Sequence, residues 1–358
     1  MSEDNRPRRV TTAQRSLIDI PGLSKRDLEA LEAIDITSLE QLAALARQQD
    51  VREHLADYLE HESVDILRTI GERAGGGPPE SFGGRAGATP QEPPLTFGAL
   101  PPTPVMRAVS MSLPIGPSAV VPLPSSVNLI ANMPPVRDQG SRGSCVAFAL
   151  SALHEYAVRA NPQDYSERHL YFGAKQIDGA PSMCGTWQRV ATGILASKGQ
   201  CRELTWGYNP TAACNDHGVP PSAADSDAAG HRLACRALNP IDVVGIKGEL
   251  AARNPVTISI PVFNSWVGSQ ATKGTGRITM RVGQEPEAGG HAMLLVGYQD
   301  DPPRSSPTPG GGWFIVRNSW GPTRWGSACP YGAGYGTIPY AYIAQLNWEA
   351  YTLSANQG

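Results

Sequence analysis

The sequence predicts an α+β fold in two lobes, preceded by a small all-α domain, and three observations carry that expectation. Apolar residues recur at helical spacing over 10–73, and the helical period returns between about 145 and 252. From Val256 onward it gives way to short apolar runs of strand character. Helices first and strands second, around one core, make an α+β arrangement. The domains read as a helical module over 1–73, a Pro/Gly-rich linker over 74–122 and a globular body over 123–358.

In the first module Leu28, Leu31, Ile34, Leu39, Leu42 and Leu45 keep a helical period, broken at Asp35-Ile36-Thr37-Ser38. Thr37 or Ser38, followed by Glu40 and Gln41, suits a fresh helix start. The phrase Ile20-Pro-Gly-Leu-Ser-Lys-Arg-Asp-Leu28 resembles helix-hairpin-helix repeats, some of which bind the DNA backbone. Charge opposes that use: residues 1–75 hold ten Arg/Lys and fifteen Asp/Glu, a net of −5, which repels phosphate. Docking of a protein partner, or oligomerisation, is the expected role. Gly75-Gly-Gly-Pro-Pro, Gly83-Gly, Pro93-Pro and Pro101-Pro then mark an extended tether, or alternatively a strap lying in an active-site cleft.

In the body, Val146, Ala149, Leu150, Leu153 and Ala157 fall on a helix that starts at Cys145 and is ended by Asn161-Pro162. Ser166 caps a second helix, and Thr186 to Ser197 form a third, stopped at Lys198-Gly199. Residues 207–230 read as a long loop and Ile241 to Ala252 as one more helix. Strands are expected at Val256 to Ile260, Arg277 to Val282, Ala292 to Val296 and Trp313 to Val316.

A chain of 358 residues with a net charge of −3 carries no overall footprint for nucleic acid. Its start is polar with no apolar signal core, and nowhere do eighteen apolar residues run together. A protein of the cytoplasm, without membrane or nucleic-acid partners, is expected. Six cysteines (145, 184, 201, 214, 235 and 329) are too few for a disulfide framework in a chain this long. Cys214-x2-His217 and His231-x3-Cys235 have spacing that zinc would accept, against a plain loop closed by a Cys214–Cys235 disulfide. The expectation is that no metal or cofactor is bound. His154, His169 and His217 read as ordinary helix and loop residues.

The chemistry centres on Gln139-Gly-Ser-Arg-Gly-Ser-Cys145. A thiol in the first turn of a helix sits at the positive end of the helix dipole, which favours the nucleophilic thiolate. Such a nucleophile needs a base, a group to hold the base, and donors for an oxyanion. Gly289-Gly-His291 places a histidine at the mouth of an apolar strand. Trp313-Phe-Ile-Val-Arg-Asn318-Ser-Trp320-Gly places an asparagine at the end of the next. Cys145 and His291 are 146 residues apart, and His291 and Asn318 are 27 apart.

From about Leu123 onward the chain resembles the papain-like (C1 family) cysteine peptidases. Leu123-Pro-Ser-Ser-Val127 resembles their mature start and Pro134-Pro-Val-Arg-Asp-Gln139-Gly their approach to the nucleophile. Gly143-Ser-Cys145-x-Ala-Phe148, Tyr165-Ser-Glu167, Asn318-Ser-Trp-Gly321 and Gly334-Tyr-Gly336 follow in the family's order. The resemblance implies a papain-like fold, with a helical left lobe and a β-rich right lobe. It implies Cys145, His291 and Asn318 as the catalytic set, Gln139 as side-chain oxyanion donor, and Trp320 as cover for the His–Asn pair along the leaving-group side. Gly185 and Gly290 would bind substrate, Gly185 by aligning it and Gly290 by leaving the pocket before the histidine open.

Departures from the pattern are equally readable. Val146 stands where the family has Trp. Arg142 replaces a usual cysteine, so the disulfide beside the active site is expected to be absent, in keeping with a reducing compartment. An insertion lengthens the loop around Ser327 to Ala333. The helical signature of the best-known propeptides is missing from 74–122. The expected function is endopeptidase cleavage of a polypeptide through an acyl-enzyme. The alternatives are a papain-fold scaffold without turnover, and an amide ligase or transpeptidase using the same site.

Overall fold

The computed structural model describes residues 95–114, 122–180, 183–214, 216–302 and 308–354, with Lys25 and Leu28. The module and linker expected over 1–94 otherwise lie outside the described residues. Residues 92–358 form one compact unit.

The unit opens with an extended segment at 95–101 and helix α1 (Pro104–Met111), capped by Thr103, whose hydroxyl accepts from the Met106 N–H. Strand β1 (Ser126–Asn128) leads into the helical lobe, made of α2 (Cys145–Ala157), α3 (Glu167–Lys175) and α4 (Gln188–Ser197). Short α5 (Ala224–Ala228) and strand β2 (Cys235–Ala237) close that lobe, and α6 (Val243–Ala251) follows. The strand lobe holds β3 (Val256–Phe263), α7 (Asn264–Val267), α8 (Gln270–Thr275), β4 (Glu287–Asp300) and β5 (Gly312–Arg317). Last come α9 (Gly321–Arg324), β6 (Tyr335–Pro339), α10 (Tyr340–Leu346) and β7 (Glu349–Leu353).

The sheet is antiparallel throughout, in the order β2-β7-β3-β4-β5-β6, with β1 added to β4 beyond the end of β3. Strand β4 is the spine. Ala292, Leu294 and Val296 join the core beneath α2, whereas Met293 and Leu295 join a second core with Phe263, Trp266 and Trp320. Burial on both faces explains the unbroken apolar run in β4.

Helix α2 is buried from Cys145 to Tyr156 on every side, as its near-uniform apolar sequence requires. Its three polar side chains all have partners. Ser151 accepts from Gln200 (2.5 Å), His154 pairs with the same amide (3.1 Å), and Glu155 accepts from the Tyr165 N–H (3.1 Å). In α3 the Ser166 hydroxyl caps His169 N–H as expected. Helix α4 stops at Lys198, with Gly199 at φ +86° supplying the left-handed exit.

One expected strand is corrected. Arg277 to Val282 pairs once only, Arg277 against Thr337, with Ile278 N–H donating to Thr337 (2.8 Å). Gly276 at φ +68° turns the chain onto the outer edge of β6, and no ladder continues past that bridge among the described residues.

Candidate active site

Cys145 is the first residue of α2, and its sulfur accepts from the Ala292 N–H of β4 at 3.3 Å. That contact brings the thiol beside His291, one residue earlier on β4. Register explains the next partner: Leu294 lies opposite Arg317, so Asn318 emerges from β5 alongside the start of β4. The result is a 2.7 Å bond between His291 Nε2 and Asn318 Oδ1. Asn318 Oδ1 also accepts from the Ser319 N–H (2.7 Å), which identifies it as the acceptor and His291 Nε2 as the donor. Nδ1 is left as the free lone pair, buried and without a hydrogen-bond partner among the described residues. Trp320 lies almost flat on the imidazole, with centroids 4.2 Å apart and an interplanar angle of 22°, and is itself backed by Trp266 and Trp325.

Gln139 stands across from this pair. Its N–H donates to Ser319 O (2.8 Å), its Oε1 accepts from the Ser319 hydroxyl (2.6 Å), and its Nε2 donates to Arg142 O (2.8 Å). The sequence motifs thus assemble Cys145, His291, Asn318, Gln139 and Trp320 into one site. Gly185 and Gly290 line the same cleft from the two lobes.

The cleft is filled by the chain's own residues 96–100. Thr96 O accepts from both Gln139 Nε2 and Trp320 Nε1, each at 3.2 Å. The Phe97 ring meets His291 and Trp320 edge-on, and a Cβ on Gly289 would lie 2.8 Å from it. The Gly98 and Ala99 N–H groups donate to Gly290 O at 3.0 Å. Gly98 O accepts from Thr186 N–H (3.0 Å) and Leu100 N–H donates to Thr186 O (3.1 Å), a parallel bridge beside Gly185. Contact is so close that a Cβ on Gly98 would sit 2.0 Å from Gly143 O, and one on Gly185 (φ +97°) 2.6 Å from Gly98 O. The chain then leaves over Trp187, whose Nε1 donates to Pro101 O (2.9 Å).

Burial under this segment sets the electrostatics. Loss of solvent pushes the Cys145 thiol up to about 12, although the Ala292 and Gly98 N–H groups work against it. Loss of solvent likewise pulls His291 down to about 4, against the opposing bond to Asn318. The closed site therefore holds a neutral thiol and a neutral imidazole, where the helix position alone suggested a thiolate.

Neither alternative weighed for Cys214 from its spacing is the one the structure adopts. Cys184 is bonded to Cys214, and Cys235 is free, so the Cys214–Cys235 pairing does not form. The zinc quartet is not assembled either: His217 Nδ1 lies 2.9 Å from Arg142 Nη2, and no cluster of metal-binding side chains occurs among the described residues. Arg142 does displace one cysteine, yet a disulfide still stands beside the cleft, next to Gly185. A missing cysteine at 142 thus carries no argument about redox compartment. Among the described residues, no helix is long and apolar enough to cross a membrane.

Comparison with known proteins adds three findings. The sequence model described as papain family cysteine protease matches residues 123–338. An uncharacterized peptidase C1-like protein of Acanthamoeba polyphaga mimivirus is 28% identical over 242 residues, covering 64% of this chain and 69% of its own. The crystal structure of xylellain, a cysteine protease from Xylella fastidiosa, superposes with a TM-score of 0.60 at 26% identity, over 75% of this chain and 99% of that one.

Proposed function

Since the chain belongs to the papain family of cysteine proteases, we propose that it cleaves internal peptide bonds through Cys145, and that residues 96–100 hold it latent until they are displaced. The observation that carries this reading is the convergence of Cys145, His291, Asn318 and Gln139 on a cleft that an extended polypeptide already fills.

Once the cleft opens, water returns and the penalty on charge falls; as substrate enters, the Cys145 proton passes to His291 Nδ1 and leaves a thiolate–imidazolium pair. The sulfur attacks the scissile carbonyl carbon, and the carbonyl π pair moves onto oxygen, facing Gln139 Nε2 and the Cys145 N–H. The oxyanion collapses, the C–N bond breaks, and the imidazolium gives its proton to the departing amine. Water, deprotonated by His291, attacks the thioester; its collapse releases the carboxylic acid and restores the thiol. Asn318 keeps Nε2 protonated, so Nδ1 remains the base throughout.

Direction supports latency. Thr96 lies by Gln139 and Trp320, the leaving-group side, and Ala99–Leu100 lie by Gly185–Thr186, the acyl side. The segment therefore runs opposite to a productive substrate, whose acyl part is N-terminal. None of its peptide bonds is offered to the thiol in the cleavable sense.

The test is incubation of wild type and Cys145→Ala with a broad peptide library, followed by product analysis. Internal cleavage by the wild type alone is expected. Equal cleavage by both proteins, or joined products in place of hydrolysed ones, would contradict the reading.

A further inference from the structure

The oxyanion loop Gln139–Ser144 is held at both ends by one hydroxyl. Tyr208 OH donates to Gln139 O at 2.8 Å and lies 2.6 Å from Ser144 Oγ, the residue before the nucleophile. Ser144 is the N-cap of α2 yet makes no side-chain cap bond, because its oxygen faces Tyr208. The Tyr208 ring is set edge-on to Phe148 of α2, 4.8 Å between centroids, and its N–H donates to Glu203 Oε1 (2.7 Å). Two residues on, Pro210 O accepts from Ser141 N–H (3.1 Å) and its hydroxyl (3.2 Å). Gly140 packs so tightly there that a Cβ would lie 2.5 Å from Pro210 O.

We propose that Tyr208 is a positioning residue for the oxyanion hole, its hydroxyl fixing the Gln139 carbonyl and the Ser144 side chain so that Gln139 Nε2 and the Cys145 N–H point at one spot. The inference rests on Cys145 and Gln139 acting as proposed above. A hole of this kind stabilises charge only if its donors are preorganised, since donors that must reorient at the moment of reaction lose most of their advantage. The other hydrogen bonds at Gln139 join it to Ser319, to the occupying segment, and to Arg142, whose N–H donates to Gln139 O (3.4 Å) and whose carbonyl accepts from Gln139 Nε2. The Arg142 carbonyl, inside the loop, accepts from both Gln139 Nε2 and the Ser144 N–H (2.8 Å each), and Tyr208 ties the same two residues from outside the loop. Arg142, buried in mid-loop over Tyr171, is bound through its Nη2 to Asp216 O (3.1 Å) and His217, so the 207–217 loop grips the oxyanion loop without a covalent link to it.

Two reagents separate positioning from general damage. A peptide aldehyde forms a tetrahedral adduct: the Cys145 sulfur adds to the carbonyl carbon, the π pair moves to oxygen, and the thiol proton passes to His291. That oxygen needs the hole. Iodoacetamide alkylation displaces iodide and needs only the thiol–imidazole pair. Tyr208→Phe keeps the ring and removes the bridge. Both arms would carry Gly98→Val, so that the occupying segment competes equally or not at all. Aldehyde affinity is expected to fall about tenfold, less than the 10²–10³ typical of losing a donor itself, with the alkylation rate within twofold. Equal loss in both assays, or no loss in either, would overturn the proposal. Absence of alkylation at Cys145 in the parent would count instead against the thiol peptidase reading. If Tyr208→Phe failed to fold, Ser144→Ala removes the other half of the bridge and is expected to show the same split.

Discussion

Cys145 and His291 are both sealed from water, and each is held in its neutral form by that sealing. The sign of the pH dependence follows. Burial in the closed cleft holds the imidazole at about 4, below its ordinary value of about 6.5, so His291 binds its proton more weakly there than when exposed to water. The contribution of His291 to closure is complete above about 6.5 and is lost as pH falls toward 4. The thiol behaves in the opposite sense: raised from 9.0 to about 12, it weakens closure only as pH rises past 9.0. Residues 96–100 should thus be held best near neutrality and loosen in acid. Hydrogen exchange at Gly98, corrected for its intrinsic pH dependence, is expected to speed up between pH 7 and 4.5, and His291→Gln is expected to abolish that change. In opened enzyme, Gln139→Ala should lower kcat by about 10²–10³ with KM little altered, read from steady-state peptide hydrolysis. The catalytic candidates were legible because each sits in a motif at an element's end. Tyr208 was not, since its role depends on two hydrogen bonds across 64 and 69 residues that leave no local pattern.

Helix α2 and the strands carrying His291 and Asn318 could be read from period alone, because burial on both sides keeps their sequences apolar. Strand β6, Tyr335-Gly-Thr-Ile-Pro339, was hidden by a glycine and a proline that are tolerated at a sheet edge. Strands β1 and β2 are three residues long and have no period to detect. Arg277 to Val282 erred the other way, because its apolar residues lie along an edge that accepts a single bridge. The linker reading left a tether and a cleft-filling strap as alternatives. What distinguishes the 95–101 stretch is its fit to glycines 143, 185, 289 and 290, which belongs to the folded cleft and has no counterpart in composition. The Cys184–Cys214 bond was equally invisible, since pairing depends on where the 207–217 loop returns. By chain entropy a closed loop of this size contributes about 3–4 kcal/mol. Cys184→Ser with Cys214→Ser is expected to lose up to about that much in a denaturant titration, with the steepness of the transition unchanged.

At the scale of the whole molecule, the two lobes meet along β4, and the cleft between α2 and β4–β5 is where a chain can be gripped from both sides. Gly290 O from one lobe and Thr186 from the other bind the same three residues, Gly98 to Leu100. A polypeptide that satisfies both lobes excludes water from Cys145, and in the proposed reading closure and latency are one physical event. The direct measurement is the rate at which a peptidyl epoxide modifies Cys145 in the full chain and in Gly98→Val, with near-UV circular dichroism confirming that both are folded. Any side chain at 98 meets the Gly143 carbonyl, which is backbone and cannot yield cheaply. Labelling confined to Cys145 and at least tenfold faster in Gly98→Val is the expected result. Equal rates would contradict latency, and absence of labelling at Cys145 in both proteins would contradict the assignment of the nucleophile.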